Sequence, residues 1–267
     1  MKLPQFVPIL TAFTARVAGR EVTELLRSPT ALARALADTQ AVVGHDGILS
    51  IFDPLLLSSV CIRKQDEINS SGGSDGIDLT PPDEILKTAP LATILESIQP
   101  LRHHVSNKAK IFATFAGPGL LYSQLQNACA SCDMDGGADC DYIFDVILSV
   151  VRSSLELKAD GIALIEQTVP GIPSELQRCH KTVRKLADFY DAGFLVFRMP
   201  GVEDQAPAIS AHCVFDLASA DNFIGPLFGQ LGPSVASNRP PVTTANDVPE
   251  STPVEGLKTL LQAARAA

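Results

Sequence analysis

Two acidic side chains stand where short buried-looking runs end. Ile48 to Phe52 is a mostly apolar run that stops at Asp53-Pro54, and Gly161 to Ile165 is another that stops at Glu166. Runs of this length suit strands covered on both faces of a parallel sheet. A carboxylate at the carboxyl end of such a strand faces the loop side of an α/β fold, where active sites gather. Asp53 and Glu166 are therefore the candidate catalytic residues, with Glu166 suited to acid or base work or to holding a cation. Each also has an ordinary reading. Asp53 suits a turn cap ahead of Pro54, and Glu166 suits a solvated loop.

Other residues could join them. Arg198 lies near the carboxyl end of the run Phe194 to Met199, and a buried arginine wants a carboxylate partner, from protein or substrate. Gly117-Pro118-Gly119 opens a helix and could offer backbone N–H groups to an anion. It lacks Walker or dinucleotide spacing, and a plain βα turn reads the same. His212, ahead of Cys213, is a candidate substrate contact. Cys129, Cys132 and Cys140 form half of a zinc or redox motif with no second pair, so unliganded thiols are the plainer reading. The acidic run Asp133, Asp135, Asp139, Asp141 and Asp145 fails as an EF-hand, because the twelfth position from Asp133 is Phe144. Asp141 and Asp145 stand one helical turn apart and are the pair that could share Mg²⁺; a solvated helix start is the alternative. No Ser–His–Asp constellation assembles.

The elements that must position these groups alternate. Phe6 to Arg27 reads as one or two helices. Ser28-Pro29 starts the helix that runs to Val43 and delivers the chain to Ile48. Leu91 to Val105 is a helix, Lys110 to Phe115 a strand and Leu120 to Cys129 a helix. A long helix capped by Asp139 or Asp141 runs to about Lys158. Glu175 to Ala192 is helical, Ala208 to Phe215 a strand, Phe223 to Leu231 a short helix, Val242 to Ala245 a weak strand and Pro253 to Ala267 a terminal helix. Residues 69–82 are rich in Ser, Gly, Asp and Pro and read as a mobile surface loop. Alternation with buried strands predicts a parallel sheet with right-handed crossovers. The expected architecture is a single α/β domain over 1–267, a TIM-barrel-like (β/α)8 fold; six strands are readable where a barrel needs eight, so either one or two strands are short or disguised or the barrel is incomplete or distorted.

Composition excludes whole classes. The 267 residues are 46% hydrophobic and 19% charged, enough for a large core. A formal charge of −9 argues against nucleic acid or an anionic membrane as partner. Six cysteines in a chain this long are not a disulfide scaffold and point to the cytoplasm. No apolar run reaches the ~18 residues of a membrane span. Pro4 and Pro8 interrupt the one stretch, at the start, that looks like a secretory signal.

Several segments resemble the uroporphyrinogen decarboxylase superfamily, which also holds methylcobalamin:coenzyme M methyltransferases. They are SPTALARALADTQAVVGHDGILSIFDPLLL, AKIFATFAGPGLLYSQL, KADGIALIEQ, DAGFLVFRM, AISAHCVFD and the closing NDVPESTPVEGLKTLLQAAR, in the family's order along nearly the whole chain. The resemblance implies a TIM barrel, a lyase reaction on a small, carboxylated organic substrate, and a homodimer. It implies that Asp53 contacts substrate. It matches Arg16 and Arg20, in Ala15-Arg16-Val17-Ala18-Gly19-Arg20, to an arginine segment that grips carboxylates. The family's decarboxylase pattern there is degraded, so the substrate need not be a porphyrinogen. The methyltransferases hold zinc through His-x-Cys and a distant Cys. Here His212 and Cys213 are adjacent, and neighbours on a strand point to opposite faces. Zinc is therefore not expected, no cofactor is required, and Mg²⁺ at Asp141 and Asp145 is the one metal the acidic run admits. Methyl transfer, with a corrinoid or an O-methyl substrate, is the alternative reaction. An Mg²⁺-dependent diphosphate lyase or cyclase is the second.

Overall fold

The computed structural model describes residues 4, 6–62, 79–128, 138–167, 174–199, 213–216, 230–231, 244, 248 and 251–266. His212, Cys129, Cys132 and most of the 69–82 loop lie outside them.

An extended segment, 6–9, leads into α1 (Thr11–Ala18), α2 (Val22–Leu25) and α3 (Pro29–Val43). Ser28 starts α3 as its sequence predicts: the Oγ accepts the Ala31 N–H at 3.3 Å, and Pro29 fills the first turn. Gly44, at φ 80°, ends it in the left-handed region. Strand β1 is Gly47–Leu49, shorter than the expected Ile48 to Phe52. Then come α4 (Leu56–Cys61), α5 (Pro82–Ile85), α6 (Leu91–Val105), β2 (Lys110–Ala116), α7 (Pro118–Ala128), α8 (Ala138–Glu156) and β3 (Gly161–Glu166). The order closes with α9 (Ser174–Phe189), β4 (Gly193–Arg198), β5 (Cys213–Asp216), β6 (Gln230–Leu231) and α10 (Val254–Ala266).

The strands form one sheet in chain order, β1-β2-β3-β4-β5-β6. The first four pairings are parallel, as the alternation requires; β6 runs antiparallel to β5. One expectation is thereby corrected: Gln230 and Leu231 are strand, not the end of a helix. Among the described residues the strands make an α/β half-barrel, consistent with an incomplete barrel.

The half-barrel shows in how the two faces are covered. Side chains alternate along each strand. Ile111, Ala113, Phe115, Ile162, Leu164, Phe194 and Val196 pack with the helices in the main core. Leu49, Phe112, Ala163, Leu195 and Phe197 point the other way and meet Val7 and Ile9 of the N-terminal segment, with no helix residue in that cluster among the described residues. Helices on one face and strand-like chain on the other is barrel logic, whereas a doubly wound sheet carries helices on both. The N-terminal segment bridges two places: Phe6 O accepts the Gly47 N–H at 3.1 Å, and Ile9 meets Thr244 Oγ1 and the Val248 N–H, both at 2.9 Å.

At the amino end of the sheet Asp160 is a clasp. It accepts the Ile111 N–H at 3.0 Å, Arg102 at 2.7 Å and Lys110 at 3.1 Å.

Candidate functional site

Glu166 is the last residue of β3 and is 4% exposed. Its phase along the strand is that of Ile162 and Leu164, so its side chain enters the layer between sheet and helices. There its Oε1 accepts the Gly119 N–H at 2.7 Å, in the first turn of α7. A carboxylate is well placed at a helix N-terminus, where unpaired N–H groups carry partial positive charge. Oε2 has no hydrogen-bond partner among the described residues. It lies against Gly117, where an added Cβ would overlap it. The turn before α7 needs glycine because the carboxyl group occupies the space of a side chain.

Three side chains adjoin Glu166. His180 on α9, itself buried, places Nε2 at 3.7 Å from Oε1. Arg198, half-buried, ends β4 directly beside Glu166 in the sheet register. Cys179 adjoins His180, and burial, then the charge of Glu166, push its thiol up to about 12. Burial raises the Glu166 carboxyl to about 8, against the downward pull of the Gly119 and Leu120 N–H groups and of Arg198. The result is a carboxyl group that gains and loses its proton near neutral pH, which a general acid or base requires.

Asp53 belongs to the same end of the sheet. It follows β1, is half-buried, and turns Oδ1 back to accept the Leu55 N–H at 2.9 Å, the capping role its sequence context allows. Gln124 on α7 donates to the Pro54 carbonyl at 3.0 Å. Glu166 and the Asp53 turn are thus joined through α7.

The remaining candidates divide. Gly117 and Arg198 come together with Glu166. Arg16 donates to the Thr252 carbonyl at 2.8 Å and lies over the Phe13 ring at 4.3 Å, tying α1 to the approach of α10. Arg20 is exposed just past α1. Asp141 and Asp145 are exposed, one turn apart on α8. Among the described residues no three His, Cys, Asp or Glu side chains converge as a metal site.

In the sequence His180 stands out only as a possible further ligand for the Cys129, Cys132 and Cys140 set, though a signal for its place beside Glu166 existed. Leu176, Cys179, His180, Val183 and Ala187 are all buried and recur at helical spacing, so the imidazole sits on the apolar stripe of α9.

No protein-family model and no curated protein matches the chain. Among solved structures it is similar to a methyltransferase from Methanosarcina mazei, at 15% sequence identity and a TM-score of 0.47, over 72% of this chain and 65% of that one. Among the described residues no helix is long and apolar enough to cross a membrane.

Proposed function

We propose that this chain is an enzyme acting on a small organic substrate at the carboxyl ends of β1 to β4, with Glu166 as its proton donor and acceptor. One observation carries the reading: a buried carboxyl group at the end of β3 has one oxygen fixed on a helix N-terminus and the other unpaired among the described residues, and burial raises its pKa to about 8. The half-barrel is read as the working part of a (β/α)8 scaffold, and Arg198 as the cation that orients an acidic group of the substrate.

The favoured reaction is methyl transfer, within the superfamily the sequence resembles. The acceptor nucleophile takes the methyl group from an O-methyl substrate, the carbon–oxygen bond breaks, and Glu166 gives its proton to the oxygen that leaves. Engagement of Arg16 with Thr252 and Phe13 supports this over a decarboxylase that grips several carboxylates. Decarboxylation stays as the second reading because Arg198 stands beside Glu166. There Glu166 would protonate the carbon from which CO₂ departs, and Asp53 would offset the positive charge that develops.

The test supplies purified protein with aryl methyl ethers and a thiol or reduced corrinoid acceptor, and in parallel with aromatic carboxylic acids. Demethylated product is expected in the first arm; CO₂ release in the second would select the lyase. Glu166→Gln should slow the reaction by roughly 10² or more. An undiminished rate in that variant would remove Glu166 from the chemistry.

A further inference from the structure

On the helix side of β1, separate from Glu166, α1, α3 and the chain around β1 meet at a cavity of about 10 Å³. Its polar wall consists of Thr11, Thr14, Thr39, His45 and Ser50. Three of these have committed partners: Thr11 accepts the Phe52 N–H at 3.0 Å, Thr39 donates to the Ala35 carbonyl at 2.8 Å, and Ser50 accepts the Thr114 N–H at 3.0 Å. The other two do not. Thr14 Oγ1 and His45 Nδ1 are both buried, and neither has a hydrogen-bond partner among the described residues. Two orphaned polar atoms, on two residues that line one cavity, are a cost to the fold unless something answers both.

The wall defines what that is. The volume is close to that of one water-sized sphere. Among the described residues no carboxylate or cation lines the cavity, which disfavours an ion. Burial pushes His45 down to about 3, so the imidazole is neutral. A neutral Nδ1 is either donor or acceptor, and a threonine hydroxyl is both. A ligand able to donate and to accept satisfies either arrangement.

We propose that this cavity is a built site for one internal water, held between Thr14 Oγ1 and His45 Nδ1. The water fastens α1 to the chain entering β1. Through Thr11, which holds Phe52, the same wall steadies the exit of β1 ahead of Asp53.

Thr14→Val in the full chain, followed by chemical denaturation, gives the test. Valine matches threonine in shape and in helix propensity and replaces only the hydroxyl, with a methyl group. With a water in place, the variant strips it of a partner, and the folding equilibrium constant should fall roughly fivefold or more. A dry cavity gives the opposite sign, because deleting an unsatisfied hydroxyl stabilises; that result would overturn the proposal. A high-resolution crystal structure of the unaltered chain should show water density about 2.7–3.2 Å from both atoms. Clear density for the walls with none between them would overturn it as well.

Discussion

Gly117 and Glu166 share one space. A Cβ on Gly117 would overlap Oε2 of Glu166, come within 2.9 Å of its Cδ, and press on the Ile165 carbonyl at 3.2 Å. The glycine that opens α7 and the acid that ends β3 are therefore a single design element, although 49 positions' worth of chain, from 117 to 166, separates them.

Gly117→Ala should destabilise the fold by about 1–3 kcal/mol, the usual cost of forcing a methyl group into filled space. Most of that should vanish in a Glu166→Ala background, where the overlap is gone and only the Ile165 contact remains. Urea unfolding of the four proteins in this cycle measures the coupling. Additive effects would mean that the two residues do not compete for space.

The proton on Glu166 should shape the stability curve. Its pKa is raised on folding, from an ordinary 4.5 to about 8, so the folded state binds more protons than the unfolded chain between those values. The contribution is fully present below about pH 4.5 and is lost as pH rises through 8. Its slope is at most about 1.4 kcal/mol per pH unit. Glu166→Gln should flatten that part of the profile. Infrared spectra at neutral pH should also show a protonated carboxyl band that the variant lacks.

Arg198 pulls the Glu166 carboxyl downward. Arg198→Gln should move the infrared titration midpoint of Glu166 to higher pH. A midpoint that stays put would show that solvent screens the pair, since Arg198 is only half-buried.

Asp160 lies at the opposite end of the sheet and ties β2, α6 and the start of β3 together. Asp160→Ala leaves the Ile111 N–H without that partner and should cost about 1–3 kcal/mol in denaturation experiments. Because it stands away from the carboxyl ends of the strands, the turnover of the folded fraction should not change.

Much of this layout is written locally. The helix from Leu91 to Val105, the strands ending at Glu166 and Arg198, and the Ser28-Pro29 start of α3 follow from period, capping chemistry and length, each decided within a few residues. What escaped depends on contacts across the chain. A strand apolar on both faces does not say which phase looks at the helices, so Glu166 read as a rim residue when it enters the helix layer. The partnership with His180 needed α9 in place. The hydrogen bond from Arg16 to the Thr252 carbonyl joins positions far apart in the chain, and nothing local reveals it. β6 is short, and its reversed direction leaves no periodic trace.

The grip of Glu166 on the first turn of α7 reaches further than one hydrogen bond. Farther along that helix, Gln124 holds the Pro54 carbonyl next to Asp53. One helix therefore anchors both acids' surroundings: its first turn holds the carboxyl group that ends β3, and a side chain farther along holds the turn that carries Asp53.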